Sequence, residues 1–205
     1  MLDKNGFDLW ANDYDEAVGF SYDEDSYPFA GYREVLGEIF ARVCVKPGAA
    51  VLDLGFGTAT LTAKLYGRGC RVFGQDFSDE MIRIASAKMP DARLYCGDLA
   101  EGLAPPLRDR KYDFVVATYS LHHLTDARKV ELFDELLGLL DDGGAILVGD
   151  LAFESRAEMA RVSAEVGDEW DDEEHYFAVD ELRASFPSLT FKKLSFCAGV
   201  IEIPR

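Results

Sequence analysis

The chain has 205 residues, 48% of them hydrophobic and 29% charged, enough apolar sequence for one sizeable core. Its 38 acids against 21 bases give a formal charge of -17, so the average surface repels phosphate backbones and anionic lipid, which argues against nucleic-acid and membrane partners. No apolar stretch approaches the roughly 18 residues of a membrane span, the start "MLDKNGFDLW" has no signal pattern, and the four cysteines form no C-x-x-C pair; a reduced, cytoplasmic protein is expected.

In chain order, "FDLWANDYDEAV" and "YREVLGEIFARV" carry apolar residues at helical spacing, Val35, Leu36, Ile39, Phe40 and Val43 in the second, and predict two helices. From Ala50 onward, strand-like and helix-like segments alternate. "VLDL" predicts a short strand, Thr58 to Tyr66 a helix, "RVFGQD" a second strand, and "SDEMIRIASAKM" a helix capped by Ser78. "RLYCGD" and "YDFVVATY" predict strands three and four, "ARKVELFDELLGLL" a helix, and "AILVGD" strand five. Past Leu151 come an acidic helix-like stretch, the run "DEWDDEEHYF", a short helix from Val179 to Phe186, and then "LTFKKLSF" and "CAGVIEIP" as an antiparallel pair at the sheet edge. Strands alternating with helices imply right-handed crossovers, so the expected fold is a doubly wound α/β domain with a mostly parallel seven-stranded sheet.

In such a sheet the ligand binds beyond the carboxyl ends of the strands, which directs attention to "VLDLGFGTAT". Gly55 and Gly57 permit backbone angles closed to other residues, Phe56 between them is expected to face the cleft, and a helix starting near Thr58 would aim free N–H groups at the same spot. Against the dinucleotide fingerprint G-x-G-x-x-G/A the third small residue is replaced by Thr60; read with period two, the third position is Ala59. Asp76 follows Gly55 by about 20 residues, the separation of a ribose-binding acid at the end of the next strand.

With Asp53 two places before Gly55, this stretch resembles motif I of the class I S-adenosylmethionine-dependent methyltransferases. "GQDFSDEMI", "CGDLAEG" and "YDFVVATYSLHHLTD" resemble the later motifs of the same family in register, and jointly they cover about half the chain. The resemblance is to small bacterial enzymes acting on quinone precursors and other small molecules. It implies a Rossmann-like fold, S-adenosyl-L-methionine as cofactor and a small-molecule methyl acceptor. It further implies a cofactor bed of Asp53, Gly55, Phe56, Gly57, Asp76, Phe77, Met81, Asp98, Leu99 and Thr118, with Phe77 and Met81 flanking the adenine and Asp98 accepting its amino group. Tyr14 and Arg33 would close that bed from an N-terminal lid. The chain then divides as one domain with a helical lid at 1–46, a cofactor-binding half at 47–150 and a sheet edge with the substrate side at 151–205, working as a monomer or homodimer.

Simpler readings stand beside these. Asp53 could only orient the turn, and Asp76 could be a strand-end turn acid. His122 and His123 are adjacent, so their side chains are expected to diverge; His123, or Tyr14, is the candidate base for an acceptor proton, while the other histidine caps or packs. With only His175 besides, no metal constellation is expected. Asp150 ends strand five without a second acid at suitable spacing. Trp10, Tyr22, Tyr27 and Tyr32 could line an acceptor pocket or pack helices on the sheet. "DEWDDEEHYF" reads as a solvated acidic turn or as a flap carrying Trp170 and Tyr176 over the substrate. A nicotinamide dehydrogenase, a non-catalytic binding protein and another S-adenosyl group transferase are the competing functions.

Overall fold

The computed structural model describes residues 26–205. The first predicted helix, which carries Trp10 and Tyr14, and Tyr22 in the segment after it lie outside the described residues.

The second predicted helix is present as α1 (Tyr32–Val43), and its five apolar positions are all buried against the sheet. The alternation that follows is β1 (Ala50–Leu54), α2 (Thr62–Gly67), β2 (Arg71–Asp76), α3 (Asp79–Lys88), β3 (Arg93–Cys96), α4 (Pro105–Arg108), β4 (Tyr112–Thr118), α5 (Asp126–Leu137) and β5 (Leu140–Phe153). The chain ends with α6 (Arg156–Val166), β6 (Phe177–Ala178), α7 (Val179–Ser185), β7 (Thr190–Lys193) and β8 (Ala198–Pro204). The predicted cap of α3 is made: the Ser78 hydroxyl accepts the Met81 N–H at 3.3 Å.

Seven strands run in the order β3-β2-β1-β4-β5-β8-β7, and β6 adds a two-residue parallel pairing to the end of β5. β8 is antiparallel to both β5 and β7, so the C-terminal pair closes the edge as expected, with β8 inside it. Alternate residues of the strands feed two cores: Val51, Val72, Val116 and Leu147 meet α1, α2, α3 and α6, while Leu52, Phe73, Val115 and Ile146 meet α5 and α7. Helices on both faces account for strands with nearly every residue buried.

From β1 the chain winds outward through β2 and β3, and from β4 it winds the other way, so the order reverses between β1 and β4. The loops that follow these two strands face each other across the crevice where open α/β sheets bind ligands.

One expected boundary is corrected. α2 begins at Thr62, four residues later than predicted, because Gly57 (φ 53°) and Ala59 (φ 64°) take left-handed backbone angles that a right-handed helix cannot continue through. The turn, rather than a helix N-terminus, therefore occupies the crevice. Among the described residues no helix is long and apolar enough to cross a membrane.

Candidate active site

The glycine turn is fixed by its neighbours. Gly55 (φ 70°) donates its N–H to Gln75 at 2.8 Å, and a Cβ placed on it would lie 2.5 Å from that of Ser120, whose hydroxyl donates to the Leu54 carbonyl. Only glycine lets the loops after β1 and β4 approach this closely. A Cβ on Gly57 would instead meet nothing within 4 Å, so the turn leaves an open backbone surface there. Ala59, standing where the resembled motif has its third glycine, takes a left-handed conformation that an L-residue adopts at a cost of roughly 1–2 kcal/mol.

The two acids of the turn have separate tasks. Asp76 ends β2, and its carboxylate accepts the Gly57 N–H at 2.8 Å and the Ser78 N–H at 3.0 Å, linking the glycine turn to the start of α3. Asp53 is 1% exposed beneath the turn, where it accepts the Thr62 hydroxyl while its Oδ1 has no partner. Burial, opposed by the Thr62 bond and aided by the Asp76 charge, pushes the Asp53 carboxyl up to about 7. Through Thr62 it holds the start of α2 beneath the turn. Phe56 is likewise turned inward, against the expectation that it faces the cleft: it is 5% exposed and packs over Gly74 of β2, since the apolar ring gains more from the core than from water.

The other residues expected to form the cofactor bed lie at or just past the carboxyl ends of β2, β3 and β4. Phe77 follows it with a ring 79% exposed, an uncovered apolar surface at the rim of the crevice, and Met81 is half-buried on the first turn of α3. Asp98 is exposed and Leu99 half-buried in the loop after β3, and Thr118 is half-buried at the end of β4. Sequence reasoning missed what holds that loop: buried Gln75 donates to the Gly102 carbonyl at 2.9 Å and accepts the Ala104 N–H at 2.7 Å, while Arg128 donates to the Leu99 and Ala100 carbonyls. A buried glutamine in an apolar strand was the available signal, because its amide must be satisfied. Arg33 is half-buried at the start of α1.

Across the crevice the chain turns at Tyr119 (φ 50°) into a 3-10 turn, Leu121–His123. The histidine rings do not diverge; their centroids are 4.2 Å apart with planes tilted by 58°, His122 held by Asp150 and His123 by Glu174. His122 is the inward one, its side chain 12% exposed and its Nδ1 2.6 Å from Oδ1 of fully buried Asp150. Asp150 also accepts the N–H groups of Leu121 and Leu151, which locks the carboxylate. Burial by itself would lower the His122 pKa, but the charge of Asp150, its bond and the charge of Glu174 outweigh it, and the net direction is upward. His123 is 60% exposed and meets Glu174 at 2.9 Å.

The run "DEWDDEEHYF" folds back over this turn. Trp170 stacks on Tyr27 at 5.6 Å and meets Tyr176 edge-on at 4.7 Å, and the Tyr27 and Tyr176 hydroxyls are 2.6 Å apart. The His175 N–H donates to the His122 carbonyl at 2.8 Å, and the His175 carbonyl accepts from buried Lys129. Between this segment and the turn lies a cavity of about 330 Å³ lined by Tyr27, Phe29, Tyr119, His122, Glu174 and Tyr176 among others. The Tyr119 hydroxyl is buried without a partner. Where the sequence suggested no metal constellation, the fold brings one donor atom each of His122, His123 and Glu174 within 4.8 Å of one another, a group able to hold a cation.

Comparison with known proteins fits this geometry. The methyltransferase domain family matches residues 51–144, which span the glycine turn through the start of β5. Over 212 residues the chain is 31% identical to the uncharacterized methyltransferase YrrT of Halobacillus halophilus, covering 97% of this chain and 95% of that one. The chain belongs to the methyltransferase domain family. A second methyltransferase relative, an uncharacterized one from Geobacillus thermodenitrificans, is 35% identical over 195 residues, 90% of this chain and 86% of its own. The fold of this methyltransferase is shared with magnesium protoporphyrin IX methyltransferase from Synechocystis with bound S-adenosylhomocysteine, at a TM-score of 0.70, 20% identity and coverage of 98% and 95%. The DhpI complex has a TM-score of 0.67 at 20% identity over the full length of both chains.

Proposed function

We propose that this methyltransferase moves a methyl group to a small molecule held in the cavity beside His122, with the donor seated on the glycine turn. The carrying observation is that His122, held by Asp150 at 2.6 Å, lines that cavity from the loop that packs Ser120 against Gly55.

The crevice fits an adenosyl ligand. Its open backbone at Gly57, the carboxylate of Asp76 at the strand end and the uncovered Phe77 ring offer a close approach, a ribose acceptor and an adenine wall. Met81, Asp98, Leu99 and Thr118 complete that bed; Gly55 shapes it, and Asp53 and Phe56 support it from below. Arg33 and Tyr14 are proposed to close it, Tyr14 lying outside the described residues. S-adenosylmethionine supplies a methyl carbon on an activated sulfonium, so no protein nucleophile is needed. The protein's part is alignment and exclusion of water.

On the acceptor side Asp150 fixes the His122 ring with Nδ1 inward, leaving Nε2 to take an acceptor proton. We therefore propose His122 as the base in place of His123, which meets Glu174 at 2.9 Å. The neutral phenols Tyr119 and Tyr176, both raised chiefly by burial, serve as hydrogen-bond donors. All four cysteines are free thiols, as suits the cytoplasmic setting proposed.

Thermal unfolding with S-adenosylhomocysteine, S-adenosylmethionine and NAD tests the donor. A native-state ligand at 100 times its Kd adds about 2.7 kcal/mol and raises Tm by about 5–10 °C for a chain of this size. A shift with NAD and none with S-adenosylhomocysteine would overturn the reading.

A further inference from the structure

We infer that the acceptor is an amine that enters as a cation, an inference that rests on the methyl-transfer reading and narrows its substrate class. Glu169, Asp171 and Glu174 all line the cavity, and among the described residues no lysine or arginine does. Glu174 is matched by His123, whereas Glu169 and Asp171 form no ion pair among the described residues. Glu169 and Asp171 are exposed and Glu174 is half-buried, so an anionic acceptor would approach a site of its own sign on a chain of charge -17, whereas a cationic one is drawn to it.

The walls point to the same occupant. Tyr27, Phe29, Tyr119 and Tyr176 line the cavity, and aromatic rings attract ammonium groups most strongly where water is excluded. The buried Tyr119 hydroxyl lacks a partner. At about 330 Å³ the space suits a small amine with one ring or a short chain.

An ammonium group has no lone pair and must lose a proton before transfer. The carboxylates bind the cationic form, and Nε2 of His122 takes one proton, with the charge of Asp150 stabilising the imidazolium. The freed nitrogen pair then bonds to the methyl carbon as the carbon–sulfur bond breaks and its electrons stay on sulfur. The methylated amine leaves as an ammonium ion, and the proton on His122 passes to solvent. One proton is released per turnover and no further reactant is consumed.

Calorimetry on the S-adenosylhomocysteine-saturated protein with phenethylamine, tyramine and putrescine, against 3-phenylpropionate and 4-ethylphenol, tests the inference. Binding of at least one amine tenfold tighter than the carboxylate and the phenol is expected, weakened tenfold or more by Asp171→Asn with Glu174→Gln while S-adenosylhomocysteine affinity holds. Equal or tighter binding of the carboxylate or phenol overturns it, as does no binding of any amine. Zinc binding at His122, His123 and Glu174 that the amines fail to displace overturns it too. Failure of S-adenosylhomocysteine itself to bind counts against the donor reading instead.

Discussion

Nδ1 of His122 lies 2.6 Å from Oδ1 of Asp150, and Oδ2 of the same carboxylate accepts the Leu121 N–H, so one buried acid sets both the ring and the backbone of the turn. The raised His122 pKa means that imidazolium persists above the ordinary value near 6.5. Stability from the pair is therefore fully present below the unfolded value and is lost as pH rises through the folded one. NMR titration of the imidazole is expected to show this raised pKa, and Asp150→Asn to move it downward because burial then prevails. His123→Ala leaves the His122 titration in place. With an accepted substrate, His122→Ala lowers kcat by about 100-fold or more; a His122 signal titrating unchanged in Asp150→Asn would contradict the pairing.

Asp53 gives the opposite exercise in sign. Its folded pKa of about 7 exceeds the unfolded value near 3.9, so between these values the folded state binds more protons and stability falls as pH rises. Asn mimics the protonated acid and still accepts from Thr62. Urea unfolding is expected to show Asp53→Asn more stable than the parent at pH 8, by on the order of 1–3 kcal/mol, with the gap closing toward pH 5. A gap independent of pH would place the titration elsewhere.

Gly55 and Gly57 share left-handed angles but differ in surroundings. Gly57→Ala meets no atom, so it carries only the backbone cost of roughly 1–2 kcal/mol, yet its methyl occupies the open face of the turn. Its S-adenosylhomocysteine affinity is expected to fall by about 1.4 kcal/mol or more, a tenfold rise in Kd. Gly55→Ala adds the clash with Ser120, and Ser120→Gly is expected to recover that part of the lost Tm while leaving the backbone part. Full recovery by Ser120→Gly would deny the strain.

Gln75→Leu keeps the volume but strands the Gly102 carbonyl and the Ala104 N–H. A loss of about 2–4 kcal/mol is expected from two orphaned backbone groups. Because the same loop carries Asp98 and Leu99, the Tm shift given by S-adenosylhomocysteine is expected to shrink as well. A shift equal to the parent's would mean that the loop is held without Gln75.

Much of the architecture is legible because buried parallel strands write themselves as apolar runs: "VLDL", "RVFGQD" and "YDFVVATY" all appear as strands within a residue or two. The start of α2 was hidden because left-handed angles at Gly57 and Ala59 leave no hydrophobic trace. β6 was hidden because two residues are too few to show a period inside an acidic run. The histidines were the hardest case. Which of two neighbours turns inward depends on a 3-10 turn, but a signal existed: β4 and β5 are adjacent, with Thr118 beside Gly149, so a histidine just past β4 comes near Asp150, the next residue of β5, which runs on to Phe153.

His175 is held at both backbone groups, its N–H by the His122 carbonyl and its carbonyl by Lys129, which also meets Asp126 at 3.0 Å and lies 4.3 Å from the Phe177 ring. If product left by withdrawal of the 170–176 segment, the first of these bonds would break and the turn that holds His122 would loosen. With His122 as the proposed base, egress and disarming would then be a single event. An empty enzyme with its gate swung back would hold no poised base, and each new cycle would begin by re-seating that turn.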